Sequence, residues 1–175
     1  MINNKAIYVI NGVGTSGKDE FINRVGKKIL NVVRISYVDR VKDMARNMGW
    51  DGVKDDRGRL FLAMLADIWT EYNDGLMKNV RKRIDEYKSH RKLHVYFVMI
   101  RKPEVIKRFK TYYPDARTIL VTRDGIKVPN NEADKSVLNY KYDITINNSG
   151  SLKDLDKQVN MFIKDELKIY KRANI

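Results

Sequence analysis

Five short runs of Val, Ile and aromatic residues recur along the chain, at 6–11, 32–36, 93–99, 117–122 and 142–147, each bounded by polar or turn residues. Runs of this length and composition read as strands buried on both faces. The stretches between them carry apolar residues at helical spacing. Phe21, Ile22, Val25 and Ile29 mark one helix, and Val41, Met44, Ala45 and Met48 a second. A third carries Leu60, Phe61, Met64, Leu65, Ile68 and Trp69; a fourth carries Leu76, Met77, Val80, Ile84 and Tyr87. Pro103 suits the first turn of a fifth, with Val105, Ile106 and Phe109 on its inner side. Ser151 followed by Asp154 has the spacing of a capping box before a last helix that buries Leu155, Val159 and Phe162. Strands alternating with helices predict an α/β domain with a five-stranded parallel sheet.

Two segments break the alternation. Between the second and third strands, residues 38–91 hold three helical stretches, longer than an ordinary crossover. Residues 123–141 are polar and contain Gly125 and Pro129. Neither has the composition of a separate domain, so the expectation is one domain over 1–175. No internal repeat and no low-complexity tract is present.

Composition changes this picture little. A chain of 175 residues, 43% hydrophobic and 33% charged, suits one folded domain. No apolar run approaches the roughly 18 residues of a membrane span, and residues 1–5 lack the apolar core of an export signal. A cytoplasmic protein with no membrane association is therefore expected. The absence of cysteine excludes disulfides and thiolate metal sites. The net charge of +13 favours polyanionic partners, nucleotides or nucleic acids, or reflects basic side chains solvating helix faces such as 78–82 and 164–171.

The chemistry is concentrated after the first strand. Gly12-Val13-Gly14-Thr15-Ser16-Gly17-Lys18-Asp19 follows the pattern G-x-x-x-x-G-K, with Asp19 where Ser or Thr usually stands. Glycines let such a loop turn its N–H groups toward phosphate oxygens, and the following helix adds its positive end. Lys18 then reaches the β- and γ-phosphates, and the Asp19 carboxylate is a hard oxygen ligand suited to Mg2+. An apolar strand before the loop and an amphipathic helix after it supply the context the motif needs.

Gly17-Lys18-Asp19 is similar to the phosphate loop of bacteriophage-type deoxynucleoside monophosphate kinases, relatives of adenylate kinase. Ser36-Tyr37-Val38-Asp39-Arg40-Val41-Lys42 resembles the pattern those enzymes carry after the second strand. Ala133-Asp134 and then Tyr142-Asp143-Ile144-Thr145-Ile146-Asn147-Asn148-Ser149-Gly150-Ser151-Leu152 resemble their last strand and the turn beyond it. The patches cover most of the chain in order, and only the phosphate loop is specific by itself. The resemblance implies a three-layer P-loop kinase fold with a helical acceptor-binding insertion at 38–91 and a lid at 123–141. It implies ATP and Mg2+ as cofactors.

On that reading ATP is held by Gly12, Gly14, Thr15, Ser16, Gly17, Lys18 and Asp19, with Asn148 and Gly150 beside the adenine. Lys18, Arg101 and Arg123 are the candidate catalytic residues, because cations near the strand ends neutralise charge on the transferred group. Arg101 alternatively pairs with Glu104 on the surface. The family pattern has an aspartate two residues before this arginine; Met99 stands there, leaving Asp19 as the candidate metal ligand. Asp39 and Lys42, three apart on one helix, are candidates for the acceptor or are ordinary surface charges. Arg59 and Asn73 are acceptor candidates or a helix-end cap and turn. His90 and His94 lack partners at metal spacing.

The expected reaction is phosphoryl transfer from ATP to a (deoxy)nucleoside monophosphate, giving the diphosphate. Two other readings keep the loop: a kinase for another small phosphorylated acceptor, such as phosphomevalonate or dephospho-coenzyme A, and a non-catalytic, nucleotide-dependent nucleic-acid binder. The third is disfavoured because no basic stripe interleaved with aromatics is visible.

Overall fold

A computed structural model describes residues 5–86, 94–126 and 136–167. Five strands form one parallel sheet in the order β2-β3-β1-β4-β5, with helices on both sides. They are β1 (Lys5–Asn11), β2 (Val32–Ser36), β3 (His94–Met99), β4 (Arg117–Thr122) and β5 (Ile144–Asn147). The helices are α1 (Lys18–Lys28), α2 (Asp39–Asn47), α3 (Asp56–Asn73), α4 (Gly75–Asp85), α5 (Pro103–Tyr112) and α6 (Leu152–Glu166). Every run predicted as a strand is one.

The boundaries differ at two places. Leu93 lies outside the described residues, and β5 begins at Ile144 rather than at Tyr142. Asp143, just before the strand, is already tied to β4: its N–H donates to the Thr118 carbonyl at 3.1 Å. Its carboxylate accepts from the Thr118 backbone N–H at 2.7 Å and from the Thr118 hydroxyl at 2.8 Å. The register of the ladder begins with Ile119 opposite Ile144.

The chain divides into two compact units, residues 1–34 with 90–175, and residues 35–89. In the first, β1 pairs with β3 and β4, so the phosphate-loop strand is central. Its side chains alternate between the two faces, as the two-residue strand period requires. Tyr8 and Ile10 join Phe97, Ile119 and Ile146 in a core shared with Phe21, Ile22 and Val25 of α1 and Leu155, Val159 and Phe162 of α6. Four rings interlock there: Phe21 meets Phe162 at 5.4 Å and Phe97 at 6.1 Å, and Tyr8 meets Phe162 at 5.0 Å. Edge-to-face pairs of this kind contribute about 0.5–1.5 kcal/mol each beyond burial. Arg24 adds a polar tie between the two helices, 2.6 Å from Glu20 on α1 and 2.6 Å from Asp156 on α6. Together these contacts fix α1, and hence the loop before it, against the sheet.

The caps behave as the sequence implies. Pro103 opens α5. Ser151 and Asp154 form a reciprocal capping box on α6. The Lys157 ammonium, followed by the bonds from Ser151, holds the Asp154 carboxyl down at about 2.

The second unit is helical. Leu76, Met77, Val80 and Ile84 of α4 and Val41 and Ala45 of α2 are fully buried. The 18-residue α3 buries only Gly58 completely, although its sequence carries seven large apolar residues between positions 60 and 69.

Candidate functional site

Among strands, loop and helix, the phosphate loop is the most specialised backbone in the first unit. Gly12 has φ +152° and Gly17 has φ +94°, with Thr15 also left-handed at +63°. A side chain at Gly12 would meet the Val121 carbonyl, and would lie 2.6 Å from Ser16 Oγ. At Gly17 it would collide with the Asn148 amide. Both positions therefore require glycine on two counts, conformation and space.

Gly17 is also the N-cap of α1, and no side chain caps this helix. The first N–H groups of a helix have no partner within it, and here none comes from a capping side chain. With the positive end of the helix behind them they form a site for an anion. Lys18, the first helical residue, bends back so that Nζ donates to the Gly12 carbonyl at 2.6 Å and the Val13 carbonyl at 3.0 Å. An ammonium is thus already held over the loop. Ser16 Oγ is fully buried and has no hydrogen-bond partner in the structure.

Three residues fasten this loop, and the sequence motifs gave neither Asn11 nor Tyr142 that role. Asn11, 1% exposed at the end of β1, accepts from the Gly12 N–H at 2.9 Å. Its Nδ2 donates to the Arg101 carbonyl at 3.0 Å and to the Tyr142 phenol oxygen at 2.8 Å. Tyr142 in turn donates to the Val137 carbonyl at 2.9 Å. Burial pushes the Tyr142 phenol up to about 12, with Tyr140 adding to the effect and the Asn11 bond opposing it. The third residue, Asn148, donates to the Ser16 carbonyl at 2.9 Å, while its own N–H donates to the Thr122 carbonyl at 2.7 Å.

The strand ends of the first unit thus gather the loop, Arg101 and the turn after β5. Arg101 and Arg123 are both exposed just past β3 and β4. The Asp124 N–H donates to Ser149 Oγ at 2.8 Å, joining the start of the 123–141 segment to that turn. Gly150 packs beside the Asp154 carboxylate in the same turn. Pro129, Asn130, Asn131, Ala133 and Asp134 lie outside the described residues.

Asp19 makes a contact the sequence did not announce. Its carboxylate is 2.8 Å from Arg34 on β2, and both side chains are half-exposed, 60% and 45%. Among the described residues no group of three or more His, Asp or Glu side chains is placed to hold a metal ion. One carboxylate with phosphate oxygens and water is nonetheless a donor set that suits Mg2+, which keeps several waters and seldom uses an all-protein cage.

The acceptor candidates all belong to the second unit. Asp39 accepts from the Ser36 N–H at 3.1 Å and from Lys42 Nζ at 3.1 Å, with Arg83 at 3.6 Å. Burial pushes this carboxyl up, but the Lys42 and Ser36 bonds and the Arg83 charge outweigh it and hold it below the ordinary aspartate value. Asp39 and Lys42 are therefore ion-paired with each other, and Arg83 of α4 joins them. Arg59 donates from Nε to the Lys54 carbonyl at 2.8 Å, and Asn73 ends α3 on its exposed side.

A further groove lies elsewhere in the first unit. About 470 Å³ in volume, it is lined by Lys5, Tyr8, Tyr113 and Arg117 at the opposite ends of β1 and β4. No described helix is long and apolar enough to cross a membrane.

No protein-family model matches the sequence, and no curated protein does. Solved structures match in fold. A protein from Thermus thermophilus aligns with a TM-score of 0.53 at 17% identity, over 92% of this chain and 97% of its own. A protein from Chloroflexus aurantiacus described as a candidate kinase aligns at 0.55 and 11% identity, over 96% and 98%. An APS kinase mutant from Mycobacterium tuberculosis aligns at 0.44 and 14% identity, over 91% and 95%, a likeness too loose to build on. At these identities the likeness is one of fold alone: the chain shares with these structures an α/β architecture built on a five-stranded parallel sheet.

Proposed function

We propose that this protein transfers the γ-phosphoryl group of ATP to a (deoxy)nucleoside monophosphate. The observation that carries the reading is the loop itself: left-handed Gly12 and Gly17, an α1 N-terminus without a side-chain cap, and Lys18 already folded over the loop carbonyls. A triphosphate entering this cradle exchanges two neutral carbonyl partners of Lys18 for charged phosphate oxygens, a stronger class of bond. The description of one fold neighbour as a candidate kinase agrees with it.

In-line phosphoryl transfer requires positioned charge rather than a protein nucleophile. An acceptor phosphate oxygen bonds to the γ-phosphorus as the bond to the β–γ bridging oxygen breaks, and ADP leaves. Lys18 spans the β- and γ-phosphates, while Arg101 and Arg123 neutralise charge on the moving group. Asn148 and Gly150 stand by the adenine. Asp19 holds Mg2+, which supplies charge neutralisation and orientation when bound. Asp39 and Lys42, with Arg59 and Asn73, address the acceptor, and residues 123–141 act as the lid. The nucleoside monophosphate as acceptor rests on the patch 36–42 and the turn 147–152.

The test is ADP release measured across all common ribo- and deoxyribonucleoside monophosphates, with phosphomevalonate and dephospho-coenzyme A on the same plate. Monophosphate-dependent turnover that Lys18→Ala abolishes, with an unchanged unfolding transition, is the expected result. Turnover only with another acceptor corrects the substrate class, and no acceptor-dependent turnover sinks the reading.

A further inference from the structure

Helix α3 carries an apolar stripe that its own unit leaves uncovered. Leu60, Met64 and Ile68 are 62%, 54% and 61% exposed, and Tyr72 at the stripe's edge is 82% exposed. Successive members are four residues apart, so they lie one above another on a single face. The helix meets the rest of its unit through the other side, where Gly58 is buried and Phe61, Leu62, Leu65 and Trp69 are half-buried. Scattered exposed apolar residues mean nothing by themselves, whereas a contiguous row marks an interaction surface.

The ends of the row are charged, and with opposite signs. Arg57 continues the stripe one turn before Leu60, and Glu71 continues it after Ile68; both are exposed. Between positions 60 and 70 the only charged residue is Asp67, exposed at the edge of the same face one turn after Met64. Each end charge is unfavourable in the field of its own helix: a cation sits near the positive N-terminus and an anion near the negative C-terminus. A second helix laid antiparallel reverses both terms.

We infer that two copies of this chain associate through the Arg57–Leu60–Met64–Ile68–Glu71 face of α3, with the two helices antiparallel across a twofold axis at Met64. The spacing is self-complementary about that residue. Arg57 meets Glu71 of the partner, Leu60 meets Ile68, and Met64 meets Met64. A twofold interface requires this reciprocity, in which one patch serves both copies. The row is about 21 Å long at 1.5 Å per residue.

The area is of the right order. Four side chains each giving up on the order of 100 Å² supply roughly 400 Å² of apolar surface per copy. That is about half of the ~800 Å² per partner in a standard interface, and such interfaces are a little over half apolar. Arg59 and Asn73, the acceptor candidates on this helix, lie roughly 140° and 180° around from Met64–Leu60 at 100° per residue. Pairing therefore leaves them uncovered, and the inference stands independently of the proposed reaction.

The test is sedimentation equilibrium of the full chain. The wild type is expected at twice its 20.5 kDa mass, with Met64→Glu monomeric because it places like charges face to face on the axis. Arg57→Glu and Glu71→Arg are each expected to weaken association about tenfold, and the two together to restore it, since the reciprocal pair is rebuilt with signs exchanged. Circular dichroism checks that each variant is folded; if Met64→Glu is not, the charge-exchange series decides alone. A wild type that stays monomeric at roughly 0.1 mM, far above the micromolar constants of weak interfaces of this size, overturns the inference. So does a dimer indifferent to both single charge changes, or a double variant that fails to recover.

Discussion

The buried amide of Asn11 donates to the phenol oxygen of Tyr142 at 2.8 Å, and that phenol donates onward to Val137. The same amide holds the Gly12 N–H and the Arg101 carbonyl. One side chain thus ties the first peptide of the phosphate loop to the exit of β3 and to the segment entering β5. The order of the loop depends on this chain of bonds.

Tyr142→Phe keeps the ring and removes the hydroxyl. The Asn11 Nδ2 loses one acceptor and Val137 its donor, a cost of about 1–2 kcal/mol for partly buried groups. For a chain of this size that lowers Tm by roughly 2–8 °C. The raised phenol also sets a pH dependence at the alkaline end. A group whose folded pKa lies above its unfolded value contributes stability that is present below pH ~10 and lost as pH rises through about 12. Urea midpoints measured up to pH 11 should fall in the wild type and fall less in the Phe variant. Equal slopes would show that the phenol is not buried as described.

Gly17→Ala meets two obstacles, the left-handed backbone at φ +94° and the Asn148 amide. It is expected to abolish ATP binding in a filter or calorimetric assay and to destabilise the chain. Asn148→Ala in the same background relieves the collision but not the backbone strain, so the double variant should regain part of the loss. A deficit of about 1–2 kcal/mol should remain relative to Asn148→Ala alone. If Gly17→Ala is as stable as the wild type, the loop does not have this conformation.

The fold was legible because each of its signals is local. Buried strands announce themselves as apolar runs, and Pro103 and the Ser151–Asp154 pair mark helix starts within four residues. The phosphate loop was legible for the same reason, since eight consecutive residues carry it. What the sequence withheld is made by distant partners. Asn11 reaches Tyr142 across 131 positions and Arg101 across 90, and Arg34 meets Asp19 only because β2 and α1 fold back beside each other. The helical period of α3 predicted a helix correctly, but period alone does not say which apolar face finds a cover. Its fully buried neighbours on α2 and α4 gave no warning that Leu60, Met64 and Ile68 stay outside.

Acid should destabilise the chain through its paired aspartates, of which Asp154 and Asp143 are two. The Lys157 and Ser151 bonds hold Asp154 at about 2. For Asp143 burial pushes upward, but the two Thr118 bonds, then Lys110 and Arg117, bring it below its ordinary value. Both folded values lie below the unfolded 3.8, so the stabilisation is complete above that pH and is lost as pH falls toward 2. Urea midpoints should be flat from pH 7 to about 5 and decline below about 4. Thr118→Val removes a buried hydroxyl donor without changing shape, lets Asp143 rise, and moves the start of the decline to higher pH. A decline unmoved by Thr118→Val would mean that Asp143 is not held by these bonds.

Arg34 and Asp19 supply the sharpest test of how the loop handles a metal ion. At 2.8 Å between two half-exposed side chains, their ion pair contributes little to stability, on the order of 0–1 kcal/mol. Its consequence is for binding: a guanidinium beside the carboxylate proposed for Mg2+ competes with the ion. Arg34→Met should leave the urea midpoint nearly unchanged and lower the Mg2+ concentration needed for half-maximal ATP binding severalfold. Asp19→Asn should raise that concentration, because an amide oxygen is a weaker ligand for a hard cation than a carboxylate. Opposite shifts from the two variants place the ion at Asp19. If neither variant changes the Mg2+ dependence, the ion is held by nucleotide oxygens and water alone, and Asp19 serves only to pair with Arg34.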